Sequence, residues 1–502
     1  MCKLLNLDRV WRIASPRFSG QRVIFLTVLF VALQCLAQPV SPGTEELKTG
    51  WKLASSWSAV EEGSVISQPS YDASKWYSIA TMPATVLQIL QENNVYPNLY
   101  FGKNLTETVP RDLFRQDWWY RTSFRVSPAQ KLHWLVFKGI NYRAEIWLNG
   151  ERLANSRQIV GMYDEYELNV TGKVKAGEEN ILAVKVTPEQ AFQDLDGVEL
   201  ADAWFDWINV KYFGFKVGDQ DVGITYVPDR NAGVWKPVYL HSTDVVEVKN
   251  PYVKTDLPLP ATSPAALTVY CDLKNGSDAP VSGVLVGEIS RPGKPTIHFQ
   301  QGVQLAAKEE REAQFSPESA HQLMVDQPDL WWPYQWGKPN LYQLKLEFKI
   351  VGTVSDSANI QFGIRKITQH RDTDNQFPDL PGGSFYLKIN GIDYPIHGAD
   401  YTPDLLFKYD EGREEAILRY VKDMGLNLLR WESKISSEHI VEVADREGIP
   451  VMMGWMCCNQ WERWSQWDAE DHRVARESLR SQIRMLRSVS YTHLTLPTNR
   501  EV

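Results

Sequence analysis

The sequence predicts a multi-domain β plus α/β protein, in which a jelly-roll β-sandwich and an immunoglobulin-like β-sandwich precede an incomplete (β/α)8 TIM barrel. Three observations predict this arrangement. The 502 residues are more than one domain usually holds and suggest about three domains. Short alternating segments separated by turn residues fill the chain from Trp51 to Phe362, which is typical of β-sandwiches. After Phe362, strands and helices alternate, which indicates a parallel sheet with crossover helices.

The chain begins with a targeting pattern. The 11 residues Val23–Leu33 are apolar, whereas a helix that spans a bilayer needs about 20 apolar residues. Ala37 follows at a possible cleavage position, and five basic residues precede the apolar run: Lys3, Arg9, Arg12, Arg17 and Arg22. We therefore expect residues 1–37 to be a cleaved signal peptide and the protein to be secreted or periplasmic. A retained membrane anchor is the alternative.

Composition limits the classes of partner. The net charge of −9 argues against nucleic acid, because phosphate binding needs a basic surface. After signal removal only Cys271, Cys457 and Cys458 remain. Since these are too few for a disulfide framework, hydrophobic cores must stabilise the fold. The 19 tryptophans suit either core packing or platforms on which sugar rings stack, and both interpretations stay open.

The first domain, which we expect over residues 45–244, is predicted to be a jelly roll. Leu132–Lys138, Ala144–Leu148 and Ile181–Val186 have the composition of short strands. The second of these is followed by Asn149-Gly150, a pair that favours a two-residue hairpin turn. No long amphipathic helix interrupts the pattern, which therefore predicts an antiparallel sandwich.

The second domain is expected over residues 245–363. Strands are predicted at Ala266–Leu273, Gly283–Ile289 and Leu341–Phe348, at the spacing of an immunoglobulin-like sandwich. The Cys…Trp…Cys hallmark of true immunoglobulin domains is absent, so the prediction concerns the architecture alone.

Residues 364–489 are predicted to form the N-terminal part of a barrel. The expected order is strand Tyr394–Gly398, helix Arg413–Met424, strand Asn427–Trp431, helix Ser437–Arg446, strand Ile449–Trp455 and helix Glu470–Arg487. Gly425 and Gly448 stand where helix C-caps favour glycine. Because a barrel takes about 250 residues, we expect this one to stop after its third unit. Residues 490–502 fit no strand or helix pattern and are interpreted as a non-native tail, with a genuine terminal tail as the alternative.

Three runs of sequence, in order and at domain-sized intervals, resemble those of glycoside hydrolase family 2. They are Asp229-Arg230-Asn231-Ala232-Gly233-Val234-Trp235-Lys236-Pro237-Val238, then Leu330-Trp331-Trp332-Pro333 with Pro339-Asn340-Leu341-Tyr342, then Phe362-Gly363-Ile364-Arg365. This family places a galactose-binding-like jelly roll, an immunoglobulin-like domain and a catalytic barrel in the same order. The resemblance covers the chain from about Trp51 to Ser488 and implies a sugar-binding role for the first domain.

Within the family, the barrel runs look most like those of exo-β-D-glucosaminidases. The similar runs are Tyr401-Thr402-Pro403-Asp404-Leu405 and Gly454-Trp455, followed by Cys457-Cys458 and Trp461-Glu462. The resemblance implies a hydrolase that releases β-D-glucosamine from the non-reducing ends of chitosan oligosaccharides. His397, Asp400 and Met456 depart from the pattern, which leaves a β-mannosidase of the same family as an alternative.

Five residues are predicted to bind the substrate, because barrel enzymes carry their sites where strands end. They are Asp400, Tyr401, Glu432, Trp455 and Glu462. The glucosaminidase pattern implies that Glu432 binds the protonated amino group of the sugar. Alternatively, Glu432 pairs with Arg430 or Lys434 within the framework. Trp455 is either a sugar platform or a layer of the barrel core.

We expect neither a cofactor nor a metal. Cys457-Cys458 could bind a metal, but packing is favoured, since no histidine cluster lies nearby in the sequence. His439 and His472 lie on predicted helices and are expected to be solvated. The partner is therefore a carbohydrate, without nucleic acid and, once the signal is cleaved, without a membrane.

Retaining hydrolysis needs two carboxyl groups about 5 to 5.5 Å apart. The resemblance implies that they follow strands four and seven, beyond Ser488, so no catalytic residue is expected within this chain. Asp468, Glu470 and Asp471 precede or begin the third helix and are interpreted as capping residues. A non-catalytic carbohydrate-binding protein is the alternative from a different functional class.

Overall fold

The computed structural model describes residues 43–127, 131–188, 215–217, 220–222, 231–372, 384–401, 403–431, 437–453 and 467–488. The predicted signal peptide (1–37) and the predicted tail (490–502) lie outside the described residues. None of the helices in these ranges is long and apolar enough to cross a membrane.

The first part of the chain folds into a β-sandwich with short helices in its loops. Its strands are β1 (Thr44–Glu46), β2 (Lys52–Ser55), β3 (Tyr77–Ser78), β4 (Ala84–Thr85), β5 (Trp118–Arg125), β6 (Leu132–Phe137), β7 (Arg143–Leu148), β8 (Glu151–Val160), β9 (Tyr166–Asn169), β10 (Glu179–Thr187), β11 (Phe215–Val217), β12 (Gln220–Val222), β13 (Gly233–Val234) and β14 (Val238–Thr243). One sheet has the order β1-β14-β6-β9 and the other β3-β2-β5-β10-β7-β8, while β11 pairs with β12 and β13 with β4. The helices are α1 (Gly63–Ile66), α2 (Val86–Glu92), α3 (Asn104–Glu107) and a 3-10 turn at Arg111–Arg115.

The core of this first sandwich lies between its two sheets and is rich in aromatic residues. Trp51, Trp118, Tyr120 and Phe137 are fully buried there. The outer face of β10 is also covered, because Ala183 packs with Ile66 and Trp119 in a second, smaller cluster. Several tryptophans therefore pack in the core, which is one of the two roles that the sequence left open.

The hairpin predicted at Asn149-Gly150 is confirmed. The two residues join β7 to β8 and both have positive φ angles, 52° and 92°. A two-residue turn with both angles positive matches the right-handed twist of the strands that it connects.

The second sandwich follows immediately. Its strands are β15 (Val246–Asp256), β16 (Ala265–Asn275), β17 (Val281–Ser290), β18 (Ile297–Leu305), β19 (Glu310–Phe315), β20 (Met324–Val325), β21 (Tyr342–Ile350) and β22 (Thr353–Phe362), with a 3-10 turn at His321–Leu323. One sheet has the order β15-β16-β19, with β20 paired to β16, and the other β18-β17-β21-β22. Along β16 buried and half-buried residues alternate without exception, because one face of the sheet packs on the core. The predicted multi-domain β and α/β fold class is confirmed.

After the second sandwich the chain forms two three-stranded sheets. The first is antiparallel and consists of β23 (Ile367–Asp372), β24 (Ser384–Ile389) and β25 (Ile392–Tyr394); the second is parallel and consists of β26 (Gly398–Tyr401), β27 (Leu428–Trp431) and β28 (Val451–Met453). Helix α4 (Glu411–Asp423) connects β26 to β27, α5 (Glu438–Glu447) connects β27 to β28, and α6 (Ala469–Ser488) follows. The antiparallel sheet was not predicted from the sequence.

The predicted first strand of the barrel, Tyr394–Gly398, is wrong. Tyr394 ends β25 and pairs with Leu387 in the antiparallel sheet, whereas the first parallel strand begins at Gly398. Pro395 separates the two strands, and proline lacks the backbone N–H that a ladder needs. The strand end at Asp400 and Tyr401, on which the site prediction depends, is nevertheless correct.

The tryptophan-rich run of the second sandwich docks onto the helix ends of the parallel unit. Trp331 Nε1 donates to the Asp445 carbonyl at 2.8 Å, and the Tyr334 hydroxyl donates to the Leu426 carbonyl at 2.9 Å. The backbone N–H of Tyr334 donates to the Gly448 carbonyl, also at 2.9 Å. Asp445 lies in the last turn of α5, whose carbonyls have no partners within the helix, while Leu426 and Gly448 follow the ends of α4 and α5. The run therefore fixes both helix ends of the parallel unit to the sandwich.

Candidate functional site

The carboxyl ends of the three parallel strands meet at one edge, as the register of the sheet requires. Asp400 is paired with Arg430, and Tyr401 with Trp431, in the ladder between β26 and β27. The Arg430 guanidinium also donates to an Asp400 carboxylate oxygen at 2.8 Å. Asp400 is exposed and Arg430 is half-buried, so a hydroxyl or amino group of a ligand can reach this ion pair from solvent. Whether Glu432 pairs with Arg430 or Lys434 stays open, because Glu432 and Lys434 lie outside the described residues.

Tyr401 and Trp431 form the aromatic part of the same edge. Their rings meet edge to face, with centroids 5.7 Å apart. Trp431 is fully buried, and its indole N–H has no hydrogen-bond partner among the described residues. Burial raises the pKa of Tyr401 to about 12, so its hydroxyl stays protonated at neutral pH and can donate a hydrogen bond.

Three of the five predicted substrate-binding residues, Glu432, Trp455 and Glu462, lie outside the described residues, as do Cys457 and Cys458. Their predicted roles stay predictions. The residues on either side of segment 432–436 are described, however, and they are well anchored.

Buried Glu414 on α4 anchors the start of α5. It accepts a hydrogen bond from the Ser437 hydroxyl at 2.7 Å, and its second oxygen lies 2.9 Å from His439 Nδ1. Ser437 in turn caps α5 through the N–H of Ile440, as N-cap serines do. The expectation that His439 is solvated is wrong, because Glu414 holds its ring; although burial opposes it, the hydrogen bond and charge of Glu414 raise the pKa of His439. His472 is exposed, as expected.

Asp404, which the sequence did not single out as a site residue, accepts more hydrogen bonds than the other described carboxylates near this edge. It follows β26 by three residues and is buried. One oxygen accepts from the Tyr100 hydroxyl at 2.6 Å and from the N–H groups of Leu406 and Lys408. The other accepts from Arg413 at 2.7 Å. Asp404 belongs to the glucosaminidase-like run Tyr401–Leu405, which could have drawn attention to it. Nothing in the sequence links Asp404 to Tyr100, which lies 304 positions away.

The first sandwich holds the segment after β26 at further points. Thr85 Oγ1 donates to the Leu406 carbonyl and Asn231 Nδ2 to the Leu405 carbonyl, each at 2.9 Å. The ring of Phe407 packs on Trp235, with centroids 5.0 Å apart. The first sandwich therefore helps to shape the edge at which the parallel strands end.

The acidic residues around the start of α6 act as capping residues, as predicted. Asp468 Oδ1 accepts from the N–H groups of Glu470 and Asp471 at 2.7 and 3.0 Å. Asp471 accepts from the Asp468 N–H in return, which completes a reciprocal capping box. Glu470 also forms an ion pair with Arg143 of β7, at 3.3 Å, and so ties α6 to the first sandwich. Among the described residues, no group of three or more His, Cys, Asp or Glu side chains could hold a metal ion.

Two family models match consecutive parts of the chain. The "glycosyl hydrolase 2 galactose-binding domain-like" family matches residues 51–207, and the "glycosyl hydrolases family 2" family matches residues 246–365. The two matches together cover most of both sandwiches.

Relatives extend the similarity through the parallel unit. The exo-β-D-glucosaminidase of Streptomyces avermitilis is 30% identical over 452 residues, which are 89% of this chain and 46% of the relative. The mannosylglycoprotein endo-β-mannosidase of Lilium longiflorum is 25% identical and covers 77% of the chain. The crystal structure of the exo-chitosanase CsxA of Amycolatopsis orientalis superposes with a TM-score of 0.75 at 29% identity, over 89% of this chain and 48% of CsxA. The chain thus spans about half the length of the relatives that it matches.

Proposed function

Because this chain belongs to glycoside hydrolase family 2, we propose that the complete protein releases β-D-glucosamine from the non-reducing ends of chitosan oligosaccharides, with retention of configuration. The observation that carries this proposal is the 30% identity to an exo-β-D-glucosaminidase over 89% of the chain. The similarity continues beyond the two sandwiches into the strand ends where a barrel enzyme binds its ligand.

The proposed binding residues act by polar contact and stacking. Asp400, at the solvent-exposed end of β26, accepts hydrogen bonds from sugar hydroxyls, and Tyr401 donates one. Glu432, directly after β27, binds the protonated amino group, a charge-assisted contact worth about 1 to 3 kcal/mol. Trp455 and Glu462 complete the site from the segment after β28.

The catalytic acid/base and nucleophile carboxylates are proposed to lie beyond Ser488 in the complete protein, because the family resemblance places them after strands four and seven. The division into domains at residues 45–244, 245–363 and 364–489, and secretion through residues 1–37, are part of the same proposal. The exo-chitosanase CsxA has been crystallised with PNP-β-D-glucosamine, which supports an amino sugar as the ligand class.

A β-mannosidase is the second candidate. The relatives include β-mannosidase B of Aspergillus terreus, which is 24% identical and covers 72% of this chain. The two activities differ at C2 of the sugar, where glucosamine carries an ammonium group and mannose an axial hydroxyl. A carboxylate beside C2 therefore favours glucosamine over mannose, because it attracts the ammonium group.

The test compares two substrates and one variant of the complete protein. We expect kcat/KM for an aryl β-glucosaminide to exceed that for the matching β-mannoside. Glu432→Gln should lower kcat/KM for the glucosaminide about 10- to 100-fold, since it removes one charge-assisted contact, and change the mannoside value much less. Lys434→Gln is the control for a general loss of charge in the same segment. A higher kcat/KM for the mannoside would favour the second candidate, and equal losses on both substrates would remove Glu432 from amino-group recognition.

A further inference from the structure

A loop of the first sandwich carries two neighbouring aromatic residues, and the first of them contacts the segment that follows β26. It connects α2 to α3 and carries Tyr100 and Phe101. Tyr100 is 50% exposed and Phe101 77% exposed. Phe101 directly follows the residue that contacts Asp404, and burying its exposed ring against a ligand would gain hydrophobic free energy.

The loop is held in place on both sides of the aromatic pair. Leu99 is buried in the core of the sandwich, and the N–H of Phe101 donates to the Asn98 carbonyl at 3.0 Å. The Asn104 amide donates to the same carbonyl at 2.9 Å. The position of Phe101 is therefore set by the sandwich.

The Tyr100 hydroxyl fixes the tip of the loop to the segment that leaves β26. It donates to Asp404 at 2.6 Å, and Arg413 holds the other oxygen of the same carboxylate. Asp404 lies only three residues after Tyr401, the last residue of the strand. Burial, followed by the hydrogen bond to Asp404, raises the pKa of Tyr100, so this hydroxyl stays protonated and donates at neutral pH.

Charged groups of both signs surround the Tyr100 hydroxyl. Asp404 and Arg413 are hydrogen-bonded to each other, and Glu92, at the end of α2, is a carboxylate that acts on the hydroxyl electrostatically and is exposed to solvent. Sugar rings stack their C–H faces on aromatic rings, and a protonated amino group is attracted both to an aromatic face and to a carboxylate.

From this geometry we infer that Tyr100 and Phe101 form a subsite of the first domain that binds the glucosamine unit next to the one that is released. Phe101 is the stacking surface, and Tyr100 is a positioning residue that holds the loop on Asp404. The inference rests on the proposed function and extends it, since it assigns a preference for oligomers over small glucosaminides to a domain outside the parallel unit.

The experiment uses the complete protein and two substrates. Glucosamine tetramer occupies the subsite, whereas β-glucosaminyl fluoride has a one-atom leaving group that cannot reach it. Phe101→Ala should raise KM for the tetramer about tenfold with little change in kcat, as expected when one aromatic contact is lost, and should leave the fluoride unaffected. Phe101→Trp should restore the tetramer value. Tyr420→Ala is the matched control, because Tyr420 is 66% exposed on α4.

The outcomes separate the inference from the proposed function. If the unmodified protein cleaves both substrates and Phe101→Ala changes neither constant more than Tyr420→Ala does, the subsite is refuted while the proposed function stands. If the unmodified protein releases glucosamine from neither substrate, the proposed function fails and the inference fails with it. A selective loss on the tetramer that Phe101→Trp reverses supports both.

Discussion

At the scale of single residues, the candidate site contains two aspartates of different character only four positions apart. Asp400 is exposed and paired with Arg430, whereas Asp404 is buried and accepts hydrogen bonds from Tyr100, Arg413 and two backbone N–H groups. The sequence suggested Asp400 because it ends a predicted strand. It could not suggest the role of Asp404, because that role depends on a tyrosine of the first sandwich.

This difference predicts unequal costs of truncation. Asp404→Ala leaves several donors without their acceptor and should destabilise the parallel unit by about 2 to 4 kcal/mol. Asp400→Ala removes an exposed ion pair and should cost less than about 1 kcal/mol. Hydrogen exchange of the α4 amides measures the local stability. Similar losses of stability in both variants would show that Asp404 does not stabilise this edge more than Asp400 does.

At the scale of elements, the helices of the parallel unit were predicted well because their ends are marked by local chemistry. Asp410, Ser437 and Asp468 cap the three helices through their own side chains, and the left-handed glycines Gly425 and Gly448 follow α4 and α5. The first parallel strand was misplaced, and the hairpin before it was missed, because no local pattern distinguishes antiparallel pairing across β23–β25 from the start of a barrel.

Gly425 and Gly448 form a matched pair that tests how the second sandwich docks. Their φ angles are 70° and 72°, so alanine should cost about 1 kcal/mol at either position from backbone strain alone. A Cβ on Gly425 meets nothing within 4 Å, whereas one on Gly448 would lie 2.8 Å from the Tyr334 nitrogen. Gly448→Ala should therefore lower the thermal unfolding midpoint clearly more than Gly425→Ala. Equal shifts in calorimetry would mean that the contact with Tyr334 contributes nothing.

At the scale of the whole molecule, a charged cluster lies in the seam between the two sandwiches. Glu167 of β9 pairs with Lys249 of β15 and with Lys274 of β16. Glu247 on β15 is buried beside Lys274, and one of its oxygens has no hydrogen-bond partner among the described residues. Burial raises the pKa of Glu247 to about 8. The charged groups that face it are Lys274, Asp356, Glu310 and Glu165, and the His241 ring lies 3.7 Å from its carboxylate.

The raised pKa of Glu247 predicts how stability depends on pH. Between its usual value of 4.5 and about 8, the folded state keeps the proton that the unfolded state has lost, so stability falls as pH rises through this window. Glu247→Gln should flatten the decline in the thermal unfolding midpoint. The exposed Glu312→Gln on β19 is the control. A decline that persists unchanged in Glu247→Gln would assign it to other groups.

The proposed function depends most on where the two catalytic carboxylates lie in the sequence. Two sandwiches and a three-stranded parallel unit position the candidate edge, while the pair of carboxylates is proposed to lie beyond Ser488. The most direct measurement is the turnover of an aryl β-glucosaminide by the 502-residue chain and by the complete protein, at equal concentrations. We expect the complete protein to hydrolyse the glucosaminide and the 502-residue chain to show no hydrolysis above background. Clear turnover by the 502-residue chain itself would contradict it.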